Sequence, residues 1–275
     1  MRIIFTALAA GFFLLVYMML LAGSDPVIRR FSYAPAAWPA GTASVRLVLL
    51  TDMHVSGPDM PPARLERIVE TINQLNPDMV LLGGDFVSSK KLATKRYSVA
   101  EAIDPLARLH APLGVFAVIG NHDHWGDAGA IRHELVRIGA VVLDNAAVRH
   151  GLITIGGVDD DFTGHANVHR VAEAMHALGG IQILLSHSPD IFPAMPGSIG
   201  LVLAGHTHCG QISLALIGPI FTASRFGRQY YCGITRSRSQ TLIVSAGVGT
   251  SLLPVRLGAS PDIWVVEVGA VVSRP

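Results

Sequence analysis

Acidic side chains, an asparagine and histidines recur at the ends of apolar segments along this chain. Two of these blocks alternate, as Asp52-x-His54 and His206-x-His208. Residues i and i+2 of an extended segment point the same way, so each pair can face one pocket. Imidazole and carboxylate groups bind metals and exchange protons, so the blocks could carry metal or acid–base chemistry. The blocks are Asp52 with His54, Asp85, Asn121 with His122, His187, and His206 with His208.

Each block directly follows a segment that we predict to be a buried strand. Short continuous apolar runs are typical of strands whose two faces are both covered. The carboxyl ends of neighbouring parallel strands meet at one sheet edge, where ligands of α/β proteins usually bind, so the blocks are expected to converge there. The predicted strands are 45–50, 79–82, 115–119, 181–185, 201–204, 242–244 and 263–268.

Helical periodicity fills intervals between these strands. Apolar residues recur at three- and four-residue steps in 65–75 and 131–138, and we predict a third helix over 169–178. Alternating strands and helices predict an α/β layered fold. Closely spaced strands near Val141, Ile153 and the carboxyl terminus indicate a second sheet.

The blocks also resemble a known family. TDMH, GGDF, GNHD, LLSH and AGHTH are similar, in this order, to the signature of calcineurin-like metallophosphoesterases over roughly residues 45–268. GHTHCGQI and VSAGVGTSLLPVR further resemble the membrane-associated bacterial branch of YaeI/YkuE-type phosphoesterases. The chain departs from that branch at Cys209, where Gly is usual, and at Ala246, where Arg is usual. The resemblance implies a β-sandwich of two mixed sheets flanked by helices.

The resemblance further implies a centre of two divalent metal ions. Two cations about 3.5–4 Å apart need a shared anionic ligand to offset their repulsion. Mixed imidazole and oxygen ligands suit Mn, Fe, Zn or Ni. The implied reaction is in-line attack on phosphorus by a metal-bridging hydroxide, while His122 acts as general acid on the leaving oxygen. The implied ligands are Asp52, His54 and His208 for one ion, Asn121, His187 and His206 for the second, and Asp85 between both.

The substrate class follows from a residue that is missing. Protein serine/threonine phosphatases of this superfamily carry Asp-Arg-Gly after the Gly-Asp block, and here the stretch reads Phe-Val-Ser-Ser over 86–89. A guanidinium is the stronger way to grip a phosphate dianion, so its absence favours a phosphodiester or pyrophosphate bond. Similar family members act on lipid-linked nucleotides such as UDP-2,3-diacylglucosamine. The alternatives are a phosphomonoesterase of the same superfamily and a non-catalytic metal-binding scaffold.

The amino-terminal segment predicts a membrane anchor. Residues 3–23 carry no charge and, at 1.5 Å per helical residue, are long enough to cross a ~30 Å hydrocarbon layer. A cleaved signal peptide is the alternative. Arg2 on one side and Arg29 with Arg30 on the other give almost no positive-inside contrast, so the side of the soluble part stays open. We predict an anchor over 1–24, a linker over 25–43, a phosphoesterase domain over 44–275, and a single-pass membrane location.

Composition limits the partners. With a net charge of +1 and 15% charged residues, the chain lacks the bulk charge that attracts nucleic acid. Half of its residues are hydrophobic, which is enough for a sizeable core. Nothing in the sequence indicates an obligate protein partner. The expected partners are therefore a small-molecule or lipid phosphoester and the membrane.

Several other polar residues are interpreted as structural or solvent-exposed and not as catalytic or metal-binding. Cys209 is predicted to be a packed thiol beside the site, with a reactive or metal-perturbed thiol as the alternative. Asp159–Asp161 is interpreted as a capped turn, and Asp123 as stabilising a turn or lining the pocket with His124. The run Lys90, Lys91, Lys95 and Arg96 is interpreted as a solvated basic loop, with contact to lipid headgroups or substrate phosphate as the alternative. Solvated or packing roles are predicted for His110, His133, His150, His165, His169 and His176.

Overall fold

The computed structural model describes residues 1–237 and 239–270. Its two six-stranded sheets confirm the predicted α/β layered fold. The helices are α1 (Arg2–Ala22), α2 (Pro62–Gln74), α3 (Val99–Ile103), α4 (Asn121–Trp125), α5 (Ala128–Arg137) and α6 (Val168–Leu178). The strands are β1 (Val27–Tyr33), β2 (Val45–Leu50), β3 (Met79–Leu82), β4 (Val115–Ala117), β5 (Val141–Val142), β6 (Ala146–His150), β7 (Ile153–Val158), β8 (Ile181–Ser186), β9 (Leu201–Ala204), β10 (Ser213–Leu214), β11 (Gly218–Pro219), β12 (Gly233–Arg236), β13 (Thr241–Val244) and β14 (Asp262–Val268).

Both large sheets are mixed, as the resemblance implies. The first sheet has the order β1-β14-β2-β3-β4-β5, in which β2 to β5 are parallel and β14 runs antiparallel to β2. The second has the order β12-β13-β9-β8-β7-β6, with a parallel centre of β13, β9, β8 and β7. The parallel strands of each sheet end at a common edge, which is where the predicted blocks lie.

Three apolar clusters hold the layers together. One lies between the two sheets and includes Leu49 from β2 and Leu203 from β9. A second packs the other face of the first sheet on α2 and α5, where Ile68 and Leu135 are buried. The third packs the second sheet on α6 through Met175. The order of layers is therefore helix, sheet, sheet, helix, and the sequence predicts all three of these helices.

The segment predicted to be a linker contains a strand. Val27–Tyr33 forms β1, which pairs in parallel with Asp262–Val268 at the edge of the first sheet. Arg29 binds Asp262 across this pair at 2.6 Å. The prediction of a linker over 25–43 is therefore wrong for these seven residues. Its sequence, VIRRFSY, does not alternate apolar and polar residues cleanly, because an edge strand leaves much of its surface in water.

The basic run after Asp85 is not entirely solvated, contrary to our interpretation. The side chain of Lys90 is fully buried, and its Nζ lies 2.7 Å and 2.9 Å from the two carboxylate oxygens of Asp59. Thr250 donates a further hydrogen bond to Asp59 at 2.8 Å. Burial lowers the pKa of Lys90, while the charge of Asp59 raises it. The pair joins the loop after β3 to the loop before α2.

Lys90→Met should destabilise the protein by about 3–5 kcal/mol, because the substitution leaves the Asp59 carboxylate buried without its cation. Urea denaturation of the detergent-solubilised chain would measure this change. Lys91→Met is the matched control, since Lys91 is exposed next to it. A loss of stability equal to that of the control would contradict a structural role for the buried pair.

Candidate metal centre

The seven predicted ligands lie just beyond the carboxyl ends of five strands, and one of them, Asn121, is the first residue of α4. These strands are β2, β3 and β4 of the first sheet and β8 and β9 of the second. Five of the seven have a left-handed backbone, a conformation that costs energy for residues other than glycine and clusters at functional sites. These five are Asp52, His54, Asp85, His206 and His208.

Asp85 lies at the centre of the cluster. Its Oδ2 is 3.3 Å from His54 Nε2 and also 3.3 Å from His187 Nε2. The carboxylate therefore faces imidazoles from both sheets, which is the position expected of a ligand shared by two cations. Its other oxygen accepts a hydrogen bond from the backbone N–H of His122 at 2.8 Å, which fixes its orientation.

One group of ligand atoms forms around Asp52. His54 Nε2 and His208 Nε2 face each other at 3.1 Å, and Asp52 Oδ1 is 3.5 Å from the latter. These three side chains are buried, and their ligand atoms lie within 4.8 Å of one another. Asp52 is oriented by a 2.8 Å hydrogen bond from the hydroxyl of Thr51. The arrangement fits a cation held between two imidazoles and a carboxylate.

A second group forms on the side of the second sheet. His187 Nε2 is 3.0 Å from Asn121 Oδ1 and 3.2 Å from His206 Nδ1. His187 Nδ1 lies 2.7 Å from the carbonyl of Gly83, so Nδ1 donates to the backbone and Nε2 is the nitrogen that faces the candidate metal position. The structure thus brings all seven predicted ligands together in two groups that meet at Asp85.

Protonation states in the cluster suit metal binding. Burial lowers the pKa of His54 and of His208 well below the ordinary histidine value, which keeps both rings neutral. Burial alone would raise the pKa of Asp85, but His187 and His54 bring it well below its usual value. Burial raises the pKa of Asp52 to about 6. Burial would lower the pKa of His187, but the charge of Asp85 raises it well above the ordinary histidine value, so this ring has to release a proton when a cation binds. Neutral His54 and His208 beside an ionised carboxylate are already in the forms that ligate cations.

The close approach of the loops depends on glycine at two positions. Gly84 has a φ of +88°, and a Cβ there would lie 2.7 Å from the backbone nitrogen of Gly120. A Cβ on Gly120 would in turn collide with the carboxylate of Asp85. Side chains at these positions would push the loops after β3 and β4 apart, so glycine lets Asp85 reach both sheets.

His122, predicted to be the general acid, lies beside Asp85 with both ring nitrogens hydrogen-bonded. Nδ1 is 2.6 Å from the hydroxyl of Ser89, and Nε2 is 3.2 Å from that of Ser251. No pattern in the sequence identifies either serine as a partner of His122. His122 also forms a group with His54 and Asp85 that could itself hold a cation.

Cys209 is bonded to Cys232 in a disulfide, and the prediction of a packed free thiol is therefore wrong. The bridge spans 23 residues and joins the residue after His208 to the start of β12. The loop it closes contains Ala223, whose carbonyl lies 2.9 Å from His206 Nε2. Two cysteines 23 residues apart carry no pattern that would have revealed the pairing.

Arg256 also supports the metal cluster, and no pattern in the sequence predicts this role. Its side chain is fully buried and donates hydrogen bonds to the carbonyls of Ala246, Gly247 and Gly249. Burial lowers the pKa of Arg256 to about 10, so the guanidinium is still charged at neutral pH. These hydrogen bonds hold the loop after β13 in place. The loop packs so closely on Asp52 that a Cβ on Gly247 would collide with the Cβ of Asp52.

Neighbouring acidic residues have the structural roles that we expected. Asp123 is buried and accepts hydrogen bonds from four backbone amides, including those of Asp85 and Phe86. Asp160 accepts two hydrogen bonds from Thr163, as a capped turn requires. His124 pairs with Asp159 at 2.7 Å instead of entering the cluster.

A cavity of about 370 Å³ opens onto the cluster. Its floor contains Asp85, Asn121, His122, His206 and His208. Its walls are mainly apolar, and none of the described residues that line it is a lysine or an arginine. The apolar lining residues include Trp125, Phe162, Ile220, Phe221, Leu252 and Leu253.

Comparison with known proteins agrees with this geometry. A family model described as calcineurin-like phosphoesterase matches residues 45–210. The chain is 30% identical to the uncharacterized metallophosphoesterase YkuE of Bacillus subtilis, over 82% of this chain and 80% of that protein. It is 27% identical to the phosphodiesterase YaeI of Escherichia coli, over 82% of each. It is also 29% identical, over 91% of its length, to a transmembrane protein with a metallophosphoesterase domain from Danio rerio, of which it covers 59%.

Proposed function

The chain belongs to the calcineurin-like phosphoesterases and is a metal-dependent phosphoester hydrolase, and from this premise we propose that it is a dinuclear phosphodiesterase. The observation that carries the proposal is the position of the Asp85 carboxylate, 3.3 Å from an imidazole of each of the two groups. A carboxylate placed between two sets of ligand atoms can offset the repulsion of a pair of divalent cations.

The residues present fit two cations. Asp52, His54 and His208 would hold one, Asn121, His187 and His206 the second, and Asp85 both. When bound, two such ions lower the pKa of water and offset charge on the phosphoryl oxygens. The chain itself contributes ligand orientation through Thr51 and the Gly83 carbonyl, while the apolar walls exclude water from the reacting bond.

The diester preference rests on the charge of the cavity walls. A phosphomonoester is a dianion near neutral pH, and proteins hold such groups best with a bidentate guanidinium. No lysine or arginine is among the described residues that line this cavity, and the stretch 86–89 contains no arginine such as the protein serine/threonine phosphatases carry after the Gly-Asp block. A diester has a single negative charge and a second organic group, which the apolar walls can accommodate.

The proposal is tested by comparing bis-p-nitrophenyl phosphate with p-nitrophenyl phosphate as substrates for the purified chain. We expect turnover of the diester that is lost with a chelator, restored by Mn²⁺, and faster than turnover of the monoester. Metal analysis should then give two ions per chain. The reverse preference would make the protein a monoesterase, and no turnover with any metal would favour a scaffold.

The disulfide indicates the side of the membrane on which the enzyme works. α1 is long and apolar enough to span a bilayer, though a signal sequence has the same properties. Disulfides persist in oxidising compartments and are rare in the cytosol. We therefore infer that the catalytic domain lies outside the cytoplasm. In intact cells, Cys209 and Cys232 should resist alkylation until a reductant is added, and free thiols there would contradict this inference.

A further inference from the structure

An apolar rim borders part of the mouth of the metal cavity. We use this name for Leu216, Ile217, Ile220, Phe221, Leu252 and Leu253, all of which are exposed. Leu216 is 99% exposed at the tip of the hairpin formed by β10 and β11. The last four residues of the rim also line the cavity wall. Large apolar side chains grouped in this way mark a surface that contacts another apolar phase.

The rim is connected directly to the end of α1. The backbone N–H of Arg256, three residues after Leu253, donates to the carbonyl of Met18 in α1 at 3.0 Å. The next residue, Leu257, bridges to Ile212 at the start of the hairpin and accepts from Ser213 N–H at 2.7 Å. The rim has two halves, the hairpin with Leu216 to Phe221 and the loop with Leu252 and Leu253. Both halves are therefore joined to the segment that contacts the anchor helix.

A glutamine ties these two halves together. Gln211 Nε2 lies 3.0 Å from the carbonyls of both Leu253 and Val255. Its Oε1 accepts a hydrogen bond from Ser251 N–H at 2.9 Å. The loop that carries Leu252 and Leu253 is thus held against the base of the hairpin. The rim is one continuous surface.

The contact with α1 also limits how far the rim can lie from the membrane that α1 would span. Met18 lies four residues before the end of the helix at Ala22, which corresponds to about 6 Å along its axis. Because the apolar helix is about as long as the hydrocarbon layer is thick, this contact falls close to the membrane interface. The rim, which begins three residues along the chain from this contact at Leu253, is then close enough to the interface for its apolar side chains to reach the bilayer.

The charge of the surrounding segment fits the same partner. Residues 211–240 contain four arginines and no aspartate or glutamate. Among them, Arg228 is exposed, and its Nη1 lies 3.3 Å from the position of a Cβ on Gly218 in the hairpin. Exposed basic groups next to an inserted apolar surface bind anionic lipid headgroups.

We propose that the apolar rim docks on the bilayer spanned by α1, so that the metal cavity opens at the headgroup layer. This proposal rests on the proposed function and names its substrate class, an amphiphile whose phosphodiester lies at the membrane surface and whose acyl chains stay in the lipid. The cavity walls at Phe221 and Leu253 then continue the apolar surface from the bilayer to the metal centre.

A spectroscopic test needs no enzymatic activity. The full chain with Leu216→Trp is reconstituted into phosphatidylcholine–phosphatidylglycerol vesicles, with and without bromine on the acyl chains. The introduced indole should be quenched by brominated lipid well beyond the signal of the parent chain. Val136→Trp is the control, because Val136 is 63% exposed on α5, outside the rim. Equal quenching of the two variants would overturn the proposal.

A kinetic test separates docking from chemistry. Leu216→Asp combined with Ile217→Asp should leave turnover of bis-p-nitrophenyl phosphate unchanged, since neither residue lines the cavity. Turnover of a p-nitrophenyl lipid phosphodiester embedded in vesicles should fall by about tenfold or more. Unchanged lipid turnover would overturn docking. Failure of the parent to hydrolyse either ester would reject the proposed function, while the quenching result would still decide whether the rim docks.

Discussion

Asp85→Asn should lower kcat for bis-p-nitrophenyl phosphate by about a thousandfold, the effect of losing about 4 kcal/mol of charge stabilisation by the metals. The amide keeps the shape of the side chain but lacks the negative charge that two adjacent cations need. The measurement is steady-state turnover at saturating Mn²⁺, together with the number of metal ions per chain by elemental mass spectrometry.

Asp144→Asn is a suitable control for this substitution. Asp144 pairs with Arg132 at 2.6 Å on the surface and takes no part in the cluster. The control should keep its turnover and its metal content. If the Asp85 variant retained two metal ions and more than about a tenth of the parent turnover, Asp85 would not be the bridging ligand.

His122→Ala should lower turnover by about 10²–10⁴-fold for a diester with an alkyl leaving group, the usual contribution of a general acid. The loss should be much smaller for bis-p-nitrophenyl phosphate, because p-nitrophenolate leaves without being protonated. The ratio of the two losses therefore measures proton donation, and turnover of both esters by the parent and the variant gives it directly.

The metal content of the His122→Ala variant distinguishes a general acid from a metal ligand. His122 lies with His54 and Asp85 in a group that could hold a cation, so a ligand role is geometrically available. A general acid can be removed while both metal ions remain bound. If the variant lost a metal ion, or if its turnover of both esters fell by the same factor, His122 would not act as a proton donor.

The sequence predicted the position of the site because the chemistry is local to each strand end. Asp52, Asp85 and His187 each follow an apolar run, and parallel strands bring such ends to one edge without further information. The helices predicted over 65–75, 131–138 and 169–178 are observed over 62–74, 128–137 and 168–178. Their buried residues recur with helical spacing, which is also a local property of the sequence.

Partners that are distant in the chain were beyond the same reasoning. Lys90 reads as part of a solvated basic run, and only the fold brings it to Asp59, 31 residues away. Arg256 binds the carbonyl of Ala246, ten residues before it, and Cys209 is bonded to Cys232 across a separation of 23 residues. Periodicity reports the exposure of a residue but does not identify the residue that will pair with it.

The short connection between α1 and β1 limits the reach of the enzyme. Four residues separate Ala22 from Val27, so a fully extended chain could move the domain by no more than about 17 Å from the helix end. Because β1 is also locked into the first sheet, an anchored domain works at a nearly constant height. If α1 spans the membrane and the substrate is an amphiphile, as proposed, the active site would reach only phosphoesters that lie close to the bilayer surface, and a phosphoester on a long spacer would lie beyond it.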